Sequence, residues 1–230
     1  MNTQERMTML LQKYAVLVAA VIADHRQYGA IGKGHDFYHA YRVAFMCLRI
    51  GPEEQMNTEC AWVAAIIHNT DHLFGENAHQ RLGEYMALTE LTVVSKVCVE
   101  EAVLNHAIPK RKYSATDSPT KRVLMDADKL VNLELDLVLR SAQFLNHLPL
   151  FDPRFITRRD PEANYKNPRT ILHDIKSSLE WVDDDWFRIP KAKEMAEERA
   201  YALRNFVEVW SIQLEEGGML TPAYPEALIG

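Results

Sequence analysis

The stretch Ala61-Trp62-Val63-Ala64-Ala65-Ile66-Ile67 constrains this chain more than any other. Wound as a helix it is apolar on every side, so it belongs at the centre of a bundle with other helices packed round it. The run stops abruptly at His68-Asn69-Thr70-Asp71-His72. A buried helix tip gains little from two histidines and an aspartate unless they bind something. An exposed helix end with satisfied side chains is the other reading.

The remaining periodicity is helical too. The spacing predicts helices over about 4–26, from Asp36 to the Gly51-Pro52 break, and over about 57–72, 78–91, 95–107, 120–144, 170–182 and 190–214. Gly29, Gly32 and Gly34 mark a loop ahead of the second helix. Two irregular stretches, 109–119 and 149–168, are long for a compact domain, and loops of that kind often carry function. The pattern shows neither a strand pair nor an internal repeat. The expectation is an all-α, single-domain bundle of about eight helices over 1–216, with a tail over 217–230 that opens at Gly217-Gly218.

A chain of 230 residues suits one large domain with a real core. The formal net charge of −6 repels duplex nucleic acid, because phosphate contacts supply most non-specific affinity. Basic clusters at Lys110-Arg111-Lys112, at Lys121-Arg122, and at Arg154 with Arg158-Arg159 read as solvated faces or as a phosphate-facing rim. The three cysteines, Cys47, Cys60 and Cys98, form no CxxC pair. An odd set of thiols on apolar helices reads as buried structural cysteine in a reducing cytoplasm. The apolar run over 14–23 is too short to span a bilayer, so no membrane partner is expected.

Two further segments carry chemistry. In His35-Asp36-Phe37-Tyr38-His39-Ala40-Tyr41-Arg42-Val43, the residues His35, His39 and Arg42 share one helix face. A neutral imidazole suits a metal, and a neighbouring guanidinium suits phosphate. Arg42 has an alternative as the ion-pair partner of Asp36 or of a helix end. In Val123-Leu124-Met125-Asp126-Ala127-Asp128-Lys129-Leu130, the two acids stand two residues apart and point in different directions, so at most one is a direct ligand. Lys129 faces either a phosphate or solvent.

Taken together, these segments resemble the HD superfamily of metal-dependent phosphohydrolases, whose pattern is a first His, a His-Asp pair and a distant Asp, all on helices. The first His matches His39, the pair matches His68-Asn69, and the last Asp matches Asp128. Asn105-His106 and the closing helices with Lys191-Ala192-Lys193 and Glu197-Glu198-Arg199 are similar to a bacterial branch of HD-domain hydrolases. The resemblance spans about residues 10–215.

The resemblance implies a helical bundle of the HD-domain type and a phosphohydrolase acting on a nucleotide or another small phosphate ester or anhydride. It implies one divalent ion held by His39, His68, Asn69 and Asp128. Mixed imidazole and carboxylate ligation favours Mn²⁺ or Mg²⁺, with Fe, Ni, Co or Zn as alternatives. Arg42 and Lys129 would hold phosphate oxygens, Asp71 or His72 would act as general base, and His35, Asp36 and His106 would line the cleft.

One position departs from the pattern. Asn69 stands where the family has aspartate, so the ligand set carries −1 instead of −2, and weaker metal binding is expected. Asp71 could supply the missing carboxylate from one turn further on, or it serves behind the ligands or at the surface. The loss also argues against a two-metal site. A second reading follows: a catalytically impaired HD domain kept as a nucleotide-binding or regulatory module. Homodimerisation is left open, since no helical stripe demands it.

Overall fold

The computed structural model describes residues 1–28, 36–51, 57–106, 117–164 and 167–219. His35, the loop at Gly29, Gly32 and Gly34, the Lys110-Arg111-Lys112 cluster and the tail beyond 219 lie outside the described residues. The chain is all-α. Its helices are α1 (Thr3–Lys13), α2 (Ala15–Tyr28), α3 (Phe37–Ile50), α4 (Thr58–Ile67), α5 (Thr70–Phe74), α6 (Ala78–Ala87), α7 (Val93–Asn105), α8 (Pro119–Val131), α9 (Leu137–Phe144), α10 (Ile171–Asp183) and α11 (Pro190–Glu216). Among the described residues the only strand-like pairing is one bridge between Asn164 and Asn167.

The apolar run forms α4, and every residue from Cys60 to Ile67 is buried. The helix packs against α3, α7 and α8. One apolar cluster runs from Met7 to Leu203 and draws on helices from α1 to α11. Side-chain caps fix the starts. Asn2 and Glu5 form a reciprocal capping box on α1, and Ser118 and Thr170 cap α8 and α10.

Three helices that the periodicity predicts as continuous are broken. The first bends by 85° between α1 and α2. There Tyr14 is pulled inward, donating its hydroxyl to Glu59 Oε1 at 2.6 Å and stacking on Trp62 at 5.8 Å. The second breaks at His68-Asn69, where side chains capture helix carbonyls: His68 Nδ1 bonds the Ala65 oxygen at 2.7 Å, and Thr70 Oγ1 bonds the Ile67 oxygen. The third breaks at 132–136, between α8 and α9. No proline or glycine marks that break, because distant side chains hold it, as described below.

Two readings of composition change. Lys121 is neither solvated nor phosphate-facing: it is buried and paired with Asp117 at 2.8 Å and Glu101 at 3.3 Å. Cys47 and Cys60 are buried, whereas Cys98 is half-buried. Among the described residues no single helix is long and apolar enough to cross a membrane.

Candidate metal centre

Local sequence places each ligating side chain. Asp36 caps α3 by accepting the His39 N–H at 2.8 Å, so His39 enters from the first turn of that helix and is almost wholly buried. His68 is the C-cap of α4, and its Nδ1–H is held by the Ala65 carbonyl. The remaining nitrogen, Nε2, carries the lone pair outward. Asp128 lies on the last turn of α8.

These three residues converge. His39 Nε2 lies 3.0 Å from Asp128 Oδ1, and His68 Nε2 lies 3.9 Å from the same oxygen. One ligand atom from each residue falls within 4.8 Å of the others, and among the described residues this is the one group of three or more such side chains. His106, at the end of α7, stands edge-on to His68 with ring centroids 5.3 Å apart. Its Nδ1 is likewise tied to a backbone carbonyl, that of Val103, at 2.6 Å.

The electrostatics suit a cation. Burial drives the His68 imidazole well below its ordinary range, so the ring is neutral. Burial would raise Asp128, but the hydrogen bond from His39 and the surrounding imidazoles outweigh it and hold the carboxyl well below the usual carboxylate range. A neutral imidazole beside an ionised carboxylate is the state that metal ligation needs.

Asn69 sits at the α4–α5 junction and is fully buried. Its Nδ2 lies 3.5 Å from His25 Nε2, and its Oδ1 is buried and accepts no hydrogen bond. A carboxamide oxygen in that condition is a fitting neutral donor to a hard cation. His25 is thereby a neighbour of Asn69.

Other expected site residues stand elsewhere. Asp71 lies outside the cluster of ligand atoms. Its side chain is 42% exposed, and that of His72 is 43% exposed, so the two form an outer lip on α5. Asp71 Oδ1 accepts the His72 N–H at 2.9 Å. Asp36 acts as the α3 cap. Arg42 does not hold a phosphate here: Asp136 accepts from its Nη1 at 2.5 Å and its Nη2 at 3.1 Å, and Glu134 accepts from Nη2 as well. Lys129 is half-buried and donates to the Met125 carbonyl at 3.3 Å. Burial lowers its ammonium below the ordinary range against the pull of Asp126 and Asp128. His35 lies outside the described residues.

Asp126 shows why only one acid of the pair is a ligand. It is fully buried, and its Oδ2 accepts the N–H groups of Arg188 and Ile189, both at 2.9 Å. It anchors the start of α11, while Asp128 faces the centre.

Sequence reasoning misses Asn132 and Arg140. Asn132 Nδ2 donates to Asp128 Oδ1 at 3.0 Å, and Arg140 Nη1 approaches His39 Nδ1 at 3.3 Å. In a continuous helix over 120–144, Arg140 would lie about 18 Å beyond Asp128. Only the turn at 132–136 brings it back.

A cavity of about 220 Å³ opens between residues 152–160 and α10, lined by Arg158, Arg159, His173 and Lys176 among others. None of the converging ligands lines it. Its charges are largely paired within the segment, Asp152 with Arg154 and Arg159 with Glu180, so it is not the chemical centre.

Residues 36–133 match the model of the HD domain family. No curated protein matches the chain. A solved structure from Lactobacillus plantarum superposes with a TM-score of 0.71 at 18% identity, covering 89% of this chain and 98% of that one. An HD-superfamily hydrolase from Bacillus thuringiensis does so with a TM-score of 0.63 at 18% identity, over 93% and 99% of the two chains. Bacillus subtilis YpgQ, in complex with ADP, gives 0.63 at 19% identity over 91% and 98%. At these identities the structures speak for the fold. The family match spans His39, His68 and Asp128, so over residues 36–133 the chain is similar to the HD domain.

Proposed function

We propose that this protein is a metal-dependent phosphohydrolase acting on a nucleotide or another small phosphate ester or anhydride. The observation that carries the reading is the convergence of His39, His68 and Asp128 from α3, α4 and α8 onto a space one ion wide. Asn69 Oδ1 would complete the donor set. The similarity to YpgQ, which is seen with ADP, supports the nucleotide class.

A divalent ion held there, Mn²⁺ or Mg²⁺ by its mixed donors, would polarise a phosphate oxygen and acidify a water. The chain's own residues do the rest. His68 and Asp128 keep fixed protonation states through burial and hydrogen bonding. His106 presents Nε2 beside His68 as a contact for the substrate. Lys129 places positive charge behind Asp128, and Asp71 or His72 at the lip takes the proton from water. Catalysis is then mainly positioning and charge stabilisation. The three unpaired thiols fit a cytoplasmic setting.

Asn69 favours a second reading, a domain that binds nucleotide without turning it over. Both are tested by one experiment: metal analysis of the purified protein, with a phosphate- and pyrophosphate-release screen over nucleotides and simple phosphate esters in Mn²⁺. Turnover lost in His39→Ala and Asp128→Ala supports the enzyme. Nucleotide binding without turnover supports the second reading. Neither metal binding nor release removes both.

A further inference from the structure

The metal centre leaves the cavity between residues 152–160 and α10 without a role. It holds about 220 Å³, and none of His39, His68, Asn69 or Asp128 lines it. Its segment carries Arg154, Arg158 and Arg159, a cluster that reads in sequence as a solvated face or a phosphate-facing rim. The charges on the wall decide between the two. Three lining residues are acids, and each has an arginine beside it. Asp152 accepts from Arg154 at 2.6 Å, Glu180 lies 3.2 Å from Arg159, and the buried Asp160 lies 3.9 Å from Arg169.

Arg158 and Lys176 also line the cavity, and among the described residues neither has a carboxylate partner. Arg158 donates Nε to the Arg154 carbonyl at 2.6 Å and lies over the Phe155 ring, 5.3 Å from its centroid. Lys176 donates Nζ to the carbonyls of Phe155, at 3.4 Å, and of Ile156. Carbonyls orient a cation without neutralising it, so two positive charges on this wall stay uncompensated. His173, on the first turn of α10, faces the same space. Its Nε2 is buried and has no hydrogen-bond partner among the described residues. Buried polar atoms are paired in the great majority of cases, and an orphan on a cavity wall marks a place for a ligand atom or a water.

We propose that this cavity is a second ligand site, separate from the metal centre, for a doubly charged anion: the phosphate group of a small phosphate compound. The two uncompensated cations set the charge of the ligand. Arg158 offers a guanidinium that suits phosphate oxygens, Lys176 offers a point charge, and His173 Nε2 offers a hydrogen bond. Phe155 and Leu172 add apolar wall against which an organic moiety could lie. None of these groups belongs to the converging metal ligands. The site therefore needs no metal, and it stands whether or not the centre hydrolyses phosphate.

The test uses the full chain, treated with chelator, and calorimetric titration with inorganic phosphate and with glycerol phosphate. Wild type is expected to bind without metal, and Asp128→Ala to bind equally well. Lys176→Met should weaken binding by about 10-fold or more, the worth of a hydrogen bond to a charged group. Arg158→Met, at an exposed side chain, should weaken it by about 3- to 5-fold. Lys176 also ties down residues 155 and 156, so Arg158→Met carries the test if Lys176→Met does not fold. In nitrogen-15 spectra of histidine-labelled protein, phosphate should move the His173 Nε2 signal and leave those of His68 and His106 in place. Tighter binding of inorganic phosphate names the free ion as the occupant, and tighter binding of glycerol phosphate names an ester; either supports the site. No binding by chelator-treated wild type, binding that neither charge variant weakens, or binding lost in Asp128→Ala overturns the proposal.

Discussion

Replacing Asn69 by aspartate restores the charge missing from the centre. The side chain is fully buried beside His68, and its oxygen accepts no hydrogen bond, so the isosteric change needs no repacking. The donor charge goes from one carboxylate to two. A change behind the ligands shifts metal affinity by about 10- to 100-fold, and a direct donor gaining a full charge shifts it by at least that much. The expectation translates into heat stability. At an Mn²⁺ concentration 100 times its dissociation constant, the variant gains about 2.7 kcal/mol, or a rise in Tm of roughly 5–10 °C for a chain of this size. Wild type at the same concentration, binding 10- to 100-fold more weakly, rises by roughly 1–5 °C. In chelator the order reverses, because a second buried carboxylate beside Asp128 is repelled without an ion to bridge them. The assay is differential scanning fluorimetry with and without Mn²⁺, cross-checked by calorimetric titration. Equal Mn²⁺ affinity in wild type and Asn69→Asp refutes the placing of residue 69 among the donors.

Further perturbations separate scaffold from centre. Asp126→Ala strips two backbone N–H groups at 188 and 189 of a charged acceptor and should cost about 3–5 kcal/mol in urea denaturation. Asp128→Asn should instead abolish Mn²⁺ binding with little loss of stability; the reverse pattern would exchange the roles of the two acids. Lys121→Ala leaves Asp117 buried without its ammonium partner and should destabilise the fold by about 3–5 kcal/mol, measured by thermal melting. His173 is held below the ordinary imidazole range, first by burial. Below pH about 6.5 the unfolded chain binds that proton more readily than the fold does, so stability is lost as pH falls through that value. His173→Gln should flatten this part of the pH–stability curve, and an unchanged slope would assign it to other groups.

How much of this was legible beforehand follows from the range of the forces involved. The burial of α4 was readable because seven consecutive apolar residues leave a helix no solvent face. His39, His68 and Asp128 were readable as a pattern spread over three segments. Asp71 and His72 were left open between the centre and the surface, because a helix continued past His68 would carry them along the same face, whereas the chain turns at Asn69 and sets both side chains at the outer lip. Arg42 was legible as a cation but not in its partner, since Asp136 lies 94 residues away in sequence. Asn132 and Arg140 escaped entirely, because the turn that returns Arg140 to His39 is held by tertiary ion pairs and not by proline or glycine. Propensity reads local preference, and such contacts override it.

The two acids of Asp126-Ala127-Asp128 also say where this protein can be cut. The family match ends at residue 133, after every ligand discussed here. Yet Asp126, two residues before Asp128, is moored to the amides of residues 188 and 189. A fragment ending soon after 133 would retain the ligands by name and lose the mooring that keeps α8 in register with α3 and α4. The smallest piece able to hold an ion therefore reaches at least Ile189, and C-terminal trimming would act on a centre whose residues it never touches.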